Sequence, residues 1–251
     1  MELDVLWIQA ELDAVDLRGR LAIVIDVLRA STSIVTALEA GARAVLPAAS
    51  HEEARSAARR LGRESVLLCG ERERVKIPGY DLGNSPREYT HSRVAGRTLV
   101  YCTTNGTPAV RRCGRAEAVW LGAFRNLTAV AAAAGRVDSS PVIVCAGRAG
   151  RVAVDDVLCA GHLVERLRVP DPSVPLSDGA RAALRLARSV GPPSADFLAQ
   201  TAGGRALADL GLSADVEFSA AVGVSEVIPV LDGDMLVRKR SGPGGTGADG
   251  C

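Results

Sequence analysis

The stretch Leu21-Ala22-Ile23-Val24-Ile25-Asp26-Val27-Leu28-Arg29-Ala30-Ser31-Thr32-Ser33 decides the fold. Five consecutive apolar residues show no alternation, so they suit a strand covered on both faces. The run stops at a carboxylate, and hydroxyl residues then open a helical pattern over 31–41 that ends at Gly41. Strand, polar turn and helix make up the unit of an α/β fold. Ligands of such folds sit beyond the carboxyl ends of the strands, where these turns lie.

Outward from this unit the pattern repeats. Short Val/Ile/Leu-rich runs recur at Val45–Leu46, Val66–Leu68, Leu99–Cys102, Val119–Leu121 and Val142–Cys145. Helical patterns cover 51–61, 107–113, 126–134, 155–168, 177–190 and 194–208, with Ser50, Asn126, Ser177 and Ser194 as N-caps and Gly41, Gly62 and Gly191 as stops. The expected architecture is α/β, a largely parallel or mixed sheet with helices on both faces. A faint echo, Gly19-Arg20 before one strand and Gly96-Arg97 before another, suggests two halves built alike. Residues 1–240 read as a single domain, with a subdivision left open at the proline-rich segment 169–176, which reads as a linker into a more helical C-terminal part. The Gly-rich tail 241–251 reads as disordered.

Composition narrows the function. Basic residues number 30 against 29 acidic, so no net field draws the chain to nucleic acid or an anionic membrane. No run approaches the ~18 apolar residues of a membrane helix, and the acidic start Met1-Glu2-Leu3-Asp4 is unlike a signal peptide. The six cysteines (69, 102, 113, 145, 159 and 251) lack a C-x-x-C pair, which argues against a zinc site or disulfide framework and fits a reducing cytoplasm. Only two lysines occur, Lys76 and Lys239, so Lys76 stands out within a long charged loop.

Three strand-end loops carry polar residues. At Asp26-Val27-Leu28-Arg29 a carboxylate leaves a dry strand, where a cation or hydrogen bonds must compensate it. Magnesium would do so, and Arg29 would grip an anion bidentately; an ordinary Asp–Arg pair with Ser31 as a cap is the plainer reading. Thr103-Thr104-Asn105-Gly106-Thr107-Pro108 reads as a helix start, with Thr107 the N-cap and Pro108 the first helical residue, that could receive phosphate or be a simple turn. The third loop holds Cys145 and Arg151 at the C-x5-R spacing of cysteine-dependent phosphatases. Valines replace the histidine before and the hydroxyl residue after, and with 28 arginines such a spacing arises easily by chance. Asp155-Asp156 beyond it suit a helix start as plain charges or as metal ligands. Between the first two loops, residues 70–86 form a long segment rich in glycine, proline and charge. Such a segment is typical of binding loops; Glu71 follows a strand there as Asp26 does, and a simple turn is the alternative reading of Asn84-Ser85-Pro86. The three histidines form no nucleophile–base arrangement, and Leu28 breaks the D-x-D signature of haloacid-dehalogenase phosphatases.

Taken together, Asp26-Val27-Leu28-Arg29-Ala30, Gly70-Glu71-Arg72, Asp81-Leu82-Gly83-Asn84-Ser85-Pro86, Thr103-Thr104-Asn105-Gly106-Thr107, Cys145-Ala146-Gly147 and Asp156-Val157-Leu158-Cys159-Ala160-Gly161 resemble the 2-phosphosulfolactate phosphatase family. The resemblance implies an α/β fold peculiar to that family. It also implies a magnesium-dependent hydrolase releasing phosphate from 2-phosphosulfolactate, a step towards coenzyme M. The family usually carries a histidine within the segment matching 201–205 and a cysteine near Ser219, which leaves another 2-hydroxy acid phosphate open as substrate. The expected partner is a small phosphorylated hydroxy acid, with a homodimer an open option and no role for nucleic acid or membrane.

Uncatalysed phosphate-ester hydrolysis is so slow that enzymes supply up to ~10²¹-fold acceleration, beyond what a helix end and an arginine contribute. A divalent ion supplies the missing electrophile. The expected assignment has Asp26, Glu71 and Asp156 holding Mg2+. Thr103, Thr104, Asn105, Gly106 and Thr107, with Asn84, would bind phosphate, while Arg29 and Lys76 would take the phosphate or acid group. Asp26 as a phosphorylated nucleophile, and a non-catalytic phospho-ligand sensor, remain open alternatives.

Overall fold

The computed structural model describes residues 2–139 and 141–240. Its strands are β1 (Asp4–Leu6), β2 (Leu21–Ile25), β3 (Ala44–Ala48), β4 (Val66–Arg72), β5 (Val75–Lys76), β6 (Thr98–Cys102), β7 (Ala118–Gly122), β8 (Val142–Cys145), β9 (Pro229–Asp232) and β10 (Met235–Arg238). They form one mixed sheet in the order β1-β8-β2-β7-β9-β10-β3-β6-β4-β5. The helices are α1 (Ala30–Glu39), α2 (His51–Leu61), α3 (His91–Val94), α4 (Gly106–Arg112), α5 (Leu127–Ala134), α6 (Val154–Leu167), α7 (Asp178–Val190), α8 (Ala195–Gln200), α9 (Ala202–Ala208) and α10 (Ser213–Ala220).

Two parallel blocks make up this sheet. One is β1-β8-β2-β7 and the other β3-β6-β4, and the antiparallel hairpin β9–β10 bridges them. Its joints to the blocks are single residue pairs, Trp120 with Val230 and Val45 with Leu236. The Gly-Arg echo falls on equivalent places, because β2 and β6 are each flanked by parallel neighbours and each feeds a helix. Gly19 and Gly96 both take positive φ (68° and 71°) in the turns before them, a conformation that suits glycine.

The unbroken apolar runs have the expected cause. In β2, Leu21, Ile23 and Ile25 join a core with α5, α6 and α7, while Ala22 and Val24 join a second core with α1 and α4. That second core also receives Val45, Leu99 and Tyr101 of the other block, whose opposite face packs on α2. Strands with helices on both faces have no wet side, so alternation disappears. Segment 169–176 leads from α6 into α7, which pack so closely that a Cβ on Gly161 would lie 2.1 Å from the Ala183 carbonyl oxygen.

Ser50, Ser177 and Ser194 cap their helices, accepting from the amides of Glu53, Ala180 and Phe197. Three expectations change. Asn126 precedes α5 but turns inward, accepting from Ala123 N–H and donating to the Leu121 and Val227 carbonyls. The helix expected over 194–208 divides at Thr201, which is extended and whose hydroxyl accepts from Gly204 N–H to start α9. The C-terminal region, read as helical, contributes the bridging hairpin. Its Asp232-Gly233-Asp234 turn between apolar residues carries a hairpin signal, with Gly233 at φ 57°. The tail expectation for 241–251 lies outside the described residues.

Candidate active site

A cavity of about 350 Å³ opens where strand ends of both blocks converge. Its walls are the turn after β2, the β4–β5 hairpin, the β6–α4 loop, the β8–α6 loop, the first turn of α6 and the start of α9.

Asp26 stands at its floor, 7% exposed. One carboxylate oxygen accepts from Ala30 N–H at 3.1 Å, and the backbone amide of Asp26 donates to the Ser31 hydroxyl at 3.0 Å. Gly106 abuts the other oxygen so closely that a Cβ there would lie 2.7 Å from it. Burial pushes the carboxyl up to about 7; the Ala30 amide opposes this, the charges of Asp155 and Glu71 add to it, and Arg29 opposes it.

Glu71 and Asp156 act as staples. Glu71 accepts from Thr104 N–H at 2.7 Å and Arg74 N–H at 2.6 Å, tying the β6–α4 loop to the hairpin. Asp156 accepts from Val27 N–H at 2.8 Å and Gly147 N–H at 3.1 Å, tying the β2 and β8 loops together. Burial, and then the neighbouring charges of Asp155 and Asp26, drive the Asp156 carboxyl well above the usual carboxylate range. Its neighbour Asp155 is equally buried and also lines the cavity, with its own backbone amide and that of Leu28 beside its carboxylate. Burial raises Asp155 to about 6, against backbone amides and the charge of Arg148. Next to the Asp155 carboxylate runs Gly203, where a Cβ would lie 3.5 Å from Oδ1.

Arg29 lines the cavity but is bound within the protein. Its guanidinium donates to Asp215 at 2.8 Å and to the Arg74 carbonyl at 2.8 Å, and the ion pair with Asp215 is 3% and 1% exposed. The plainer Asp–Arg reading thus has the wrong partner, because the aspartate lies on α10 rather than at position 26.

The other expected residues separate. Thr104, Asn105 and Asn84 line the cavity; Asn84 accepts from the Tyr101 hydroxyl and, through its carbonyl, from Ser33. Thr103 and Thr107 are buried behind it and bond each other, with Thr107 N–H donating to the Thr103 hydroxyl at 3.1 Å. Thr107 is therefore inside the first turn and Asn105 precedes the helix, correcting the cap expected there. Gly106 is buried against Asp26 and is not part of the lining. Lys76 is exposed on β5, paired opposite Glu71, outside the lining.

Cys145 closes β8 fully buried in the core, and burial raises its thiol far above the ordinary value, the reverse of a reactive thiolate. Arg151 is exposed, exchanges backbone hydrogen bonds with Arg148 and does not line the cavity. The C-x5-R spacing therefore builds no phosphate loop. None of the three histidines lines it either.

A family model described as 2-phosphosulpholactate phosphatase matches residues 7–234. The chain belongs to the 2-phosphosulpholactate phosphatase family. A relative from Symbiobacterium thermophilum, named a probable 2-phosphosulfolactate phosphatase, is 40% identical over 224 residues, covering 89% of this chain and 96% of its own. One of the same name from Deinococcus radiodurans is 45% identical over 212 residues, covering 84% and 87%. Every cavity loop falls inside the family match.

Among the described residues no group of three or more His, Cys, Asp and Glu is arranged to hold a metal ion. Asp26, Glu71 and Asp156 of the expected set all line the cavity without forming such a group, and Glu71 and Asp156 each accept two backbone amides. The donors that fit magnesium are Asp26 and Asp155. Both are buried and raised for want of compensating charge, and magnesium takes one or two carboxylates, keeping water in its other positions.

Proposed function

We propose that this chain is a phosphoric monoester hydrolase acting on 2-phosphosulfolactate or a close 2-hydroxy acid phosphate, with magnesium held by Asp26 and Asp155. The observation that carries the reading is the charge layout of one cavity. Buried carboxylates that need a cation share it with arginines that need an anion. Magnesium, when bound, would neutralise phosphoryl oxygens and acidify water.

The chain's own residues do the rest. Asp26 presents its carboxylate at the cavity floor, with one oxygen steadied by the Ala30 amide. Glu71 and Asp156 hold four loop amides, which fixes the loops around the ester before it binds. Thr104, Asn105 and Asn84 offer polar contacts to the phosphate. Release of sulfolactate would place the chain on the route to coenzyme M. The five described cysteines are unpaired thiols, which suits a reducing cytoplasm, and no described helix is long and apolar enough to cross a membrane.

The test is phosphate release from 2-phosphosulfolactate and 2-phospholactate, with magnesium, with EDTA and in Asp26→Asn. EDTA and the substitution should each abolish release, the latter by about 10²-fold or more. Turnover indifferent to both would refute the metal assignment, and tight binding without turnover would make the protein a sensor.

A further inference from the structure

Four arginines line the cavity; Arg29 is paired with Asp215, while Arg72, Arg74 and Arg148 have no carboxylate within ion-pair distance among the described residues, and Arg74 and Arg148 reach it from different loops. Arg74 is the second residue of the two-residue turn between β4 and β5, and Arg148 lies in the β8–α6 loop. Both segments hold non-glycine residues in the left-handed region: Glu73 at φ 52°, Arg74 at φ 69° and Ala149 at φ 48°. In a two-residue β-hairpin turn φ > 0 at both central residues is the ordinary geometry, so Ala149 alone is in a conformation that persists only where the surroundings over-determine it.

Here the surroundings belong to the site. Arg74 N–H donates to Glu71 at 2.6 Å and its carbonyl accepts from Arg29 at 2.8 Å. Ala149 N–H donates to the Asn105 side chain at 3.1 Å, and the Arg148 guanidinium donates to the Ala202 carbonyl. Site residues thus fix the backbone of both loops, while neither guanidinium is held in an ion pair, although the charge of Asp155 bears on Arg148. They also feel each other: burial lowers the Arg148 guanidinium, and the charge of Arg74 lowers it further. Holding like charges together opposes folding unless an anion comes between them. Arg29 cannot fill that need, because Asp215 already neutralises it. Arg72 shares the hairpin, but its charge bears on Glu52 and Cys102 on the α2 side.

A phosphorylated 2-hydroxy acid carries a second anionic group beside its phosphate. We propose that Arg74 and Arg148 form a two-armed clamp for that group, a carboxylate or sulfonate, and thereby select acid-bearing phosphate esters. The substrate class rests on the hydrolase reading above; the clamp is this chain's own means of telling an acid from a neutral ester.

The experiment compares kcat/KM for 2-phospholactate with that for isopropyl phosphate, the same secondary ester with methyl in place of carboxylate. The ratio of the two should fall about tenfold to a hundredfold in Arg74→Met and in Arg148→Met, the loss expected for one charged hydrogen bond. Arg148→Lys should recover part of it. A ratio unchanged in both variants, whether the two rates fall together or not at all, overturns the clamp. If the unmodified protein hydrolyses no ester, the hydrolase reading fails by itself. Sulfolactate binding by calorimetry then decides the clamp: about tenfold or greater weakening in both variants supports it, and unchanged binding overturns it.

Discussion

Replacing Asp215 with alanine should destabilise this protein more than almost any other single change outside the apolar core. Asp215 is 1% exposed and sits 2.8 Å from the Arg29 guanidinium, itself 3% exposed, while its other oxygen accepts from the Ser85 hydroxyl at 2.6 Å. Removing it leaves a buried cation with one backbone carbonyl for company and a hydroxyl without its acceptor. Breaking a buried pair from one side costs about 3–5 kcal/mol, a large share of the roughly 5–15 kcal/mol that holds a domain together. For a domain of this size that corresponds to a melting temperature lower by about 6–20 °C. Urea unfolding with a shared m value gives the free energy directly. The double variant Arg29→Met/Asp215→Leu should regain most of the loss, because apolar replacement of a buried pair is often neutral. A cost for Asp215→Ala below about 1 kcal/mol, or a double variant no better than the sum of its parts, would refute the reasoning.

Three further outcomes follow from the site. Asp26 and Asp155 titrate near 7 and 6 in the fold against 3.8 ordinarily; raised groups favour folding below the ordinary value and lose that contribution as pH rises through the folded one. Metal-free protein should therefore weaken in urea between about pH 4 and 7, Asp26→Asn should flatten the decline, and magnesium should oppose it; identical pH profiles for the two proteins would contradict this. Gly106→Ala would set a methyl 2.5 Å from the Ala30 Cβ and 2.7 Å from an Asp26 oxygen, so it should cost about 1–3 kcal/mol and depress turnover further than its stability explains, as thermal unfolding and phosphate release will show. Cys145→Ala should keep its turnover, and turnover of the unmodified protein should survive thiol alkylation, since the Cys145 thiol is buried in the core; loss of activity in the variant without loss of fold would revive the cysteine mechanism.

How much of this could be read in the chain depends on how far each cause reaches. The sandwiched strands, the serine caps and the polar strand ends were legible because each is set within a few residues, by apolar periodicity, a side chain bonding an amide three positions on, or a carboxylate after a dry run. The hairpin β9–β10 carried a local signal in Asp232-Gly233, but only packing against Trp120 and Val45 makes it the bridge between the two blocks. Which of Asp155 and Asp156 ties the β2 and β8 loops together was not legible, because adjacent helical residues point about 100° apart and the docking of α6 chooses between them. Arg29 looked like a free anion grip, yet its charge is met by an aspartate 186 residues away. Sequence by itself determined the α/β class and the loops that carry polar chemistry, since those follow from short-range patterns. Tertiary structure alone decided which carboxylates are staples, which await a cation and which arginines keep an unmet charge, because those roles depend on partners brought together only when the two blocks close on one cavity.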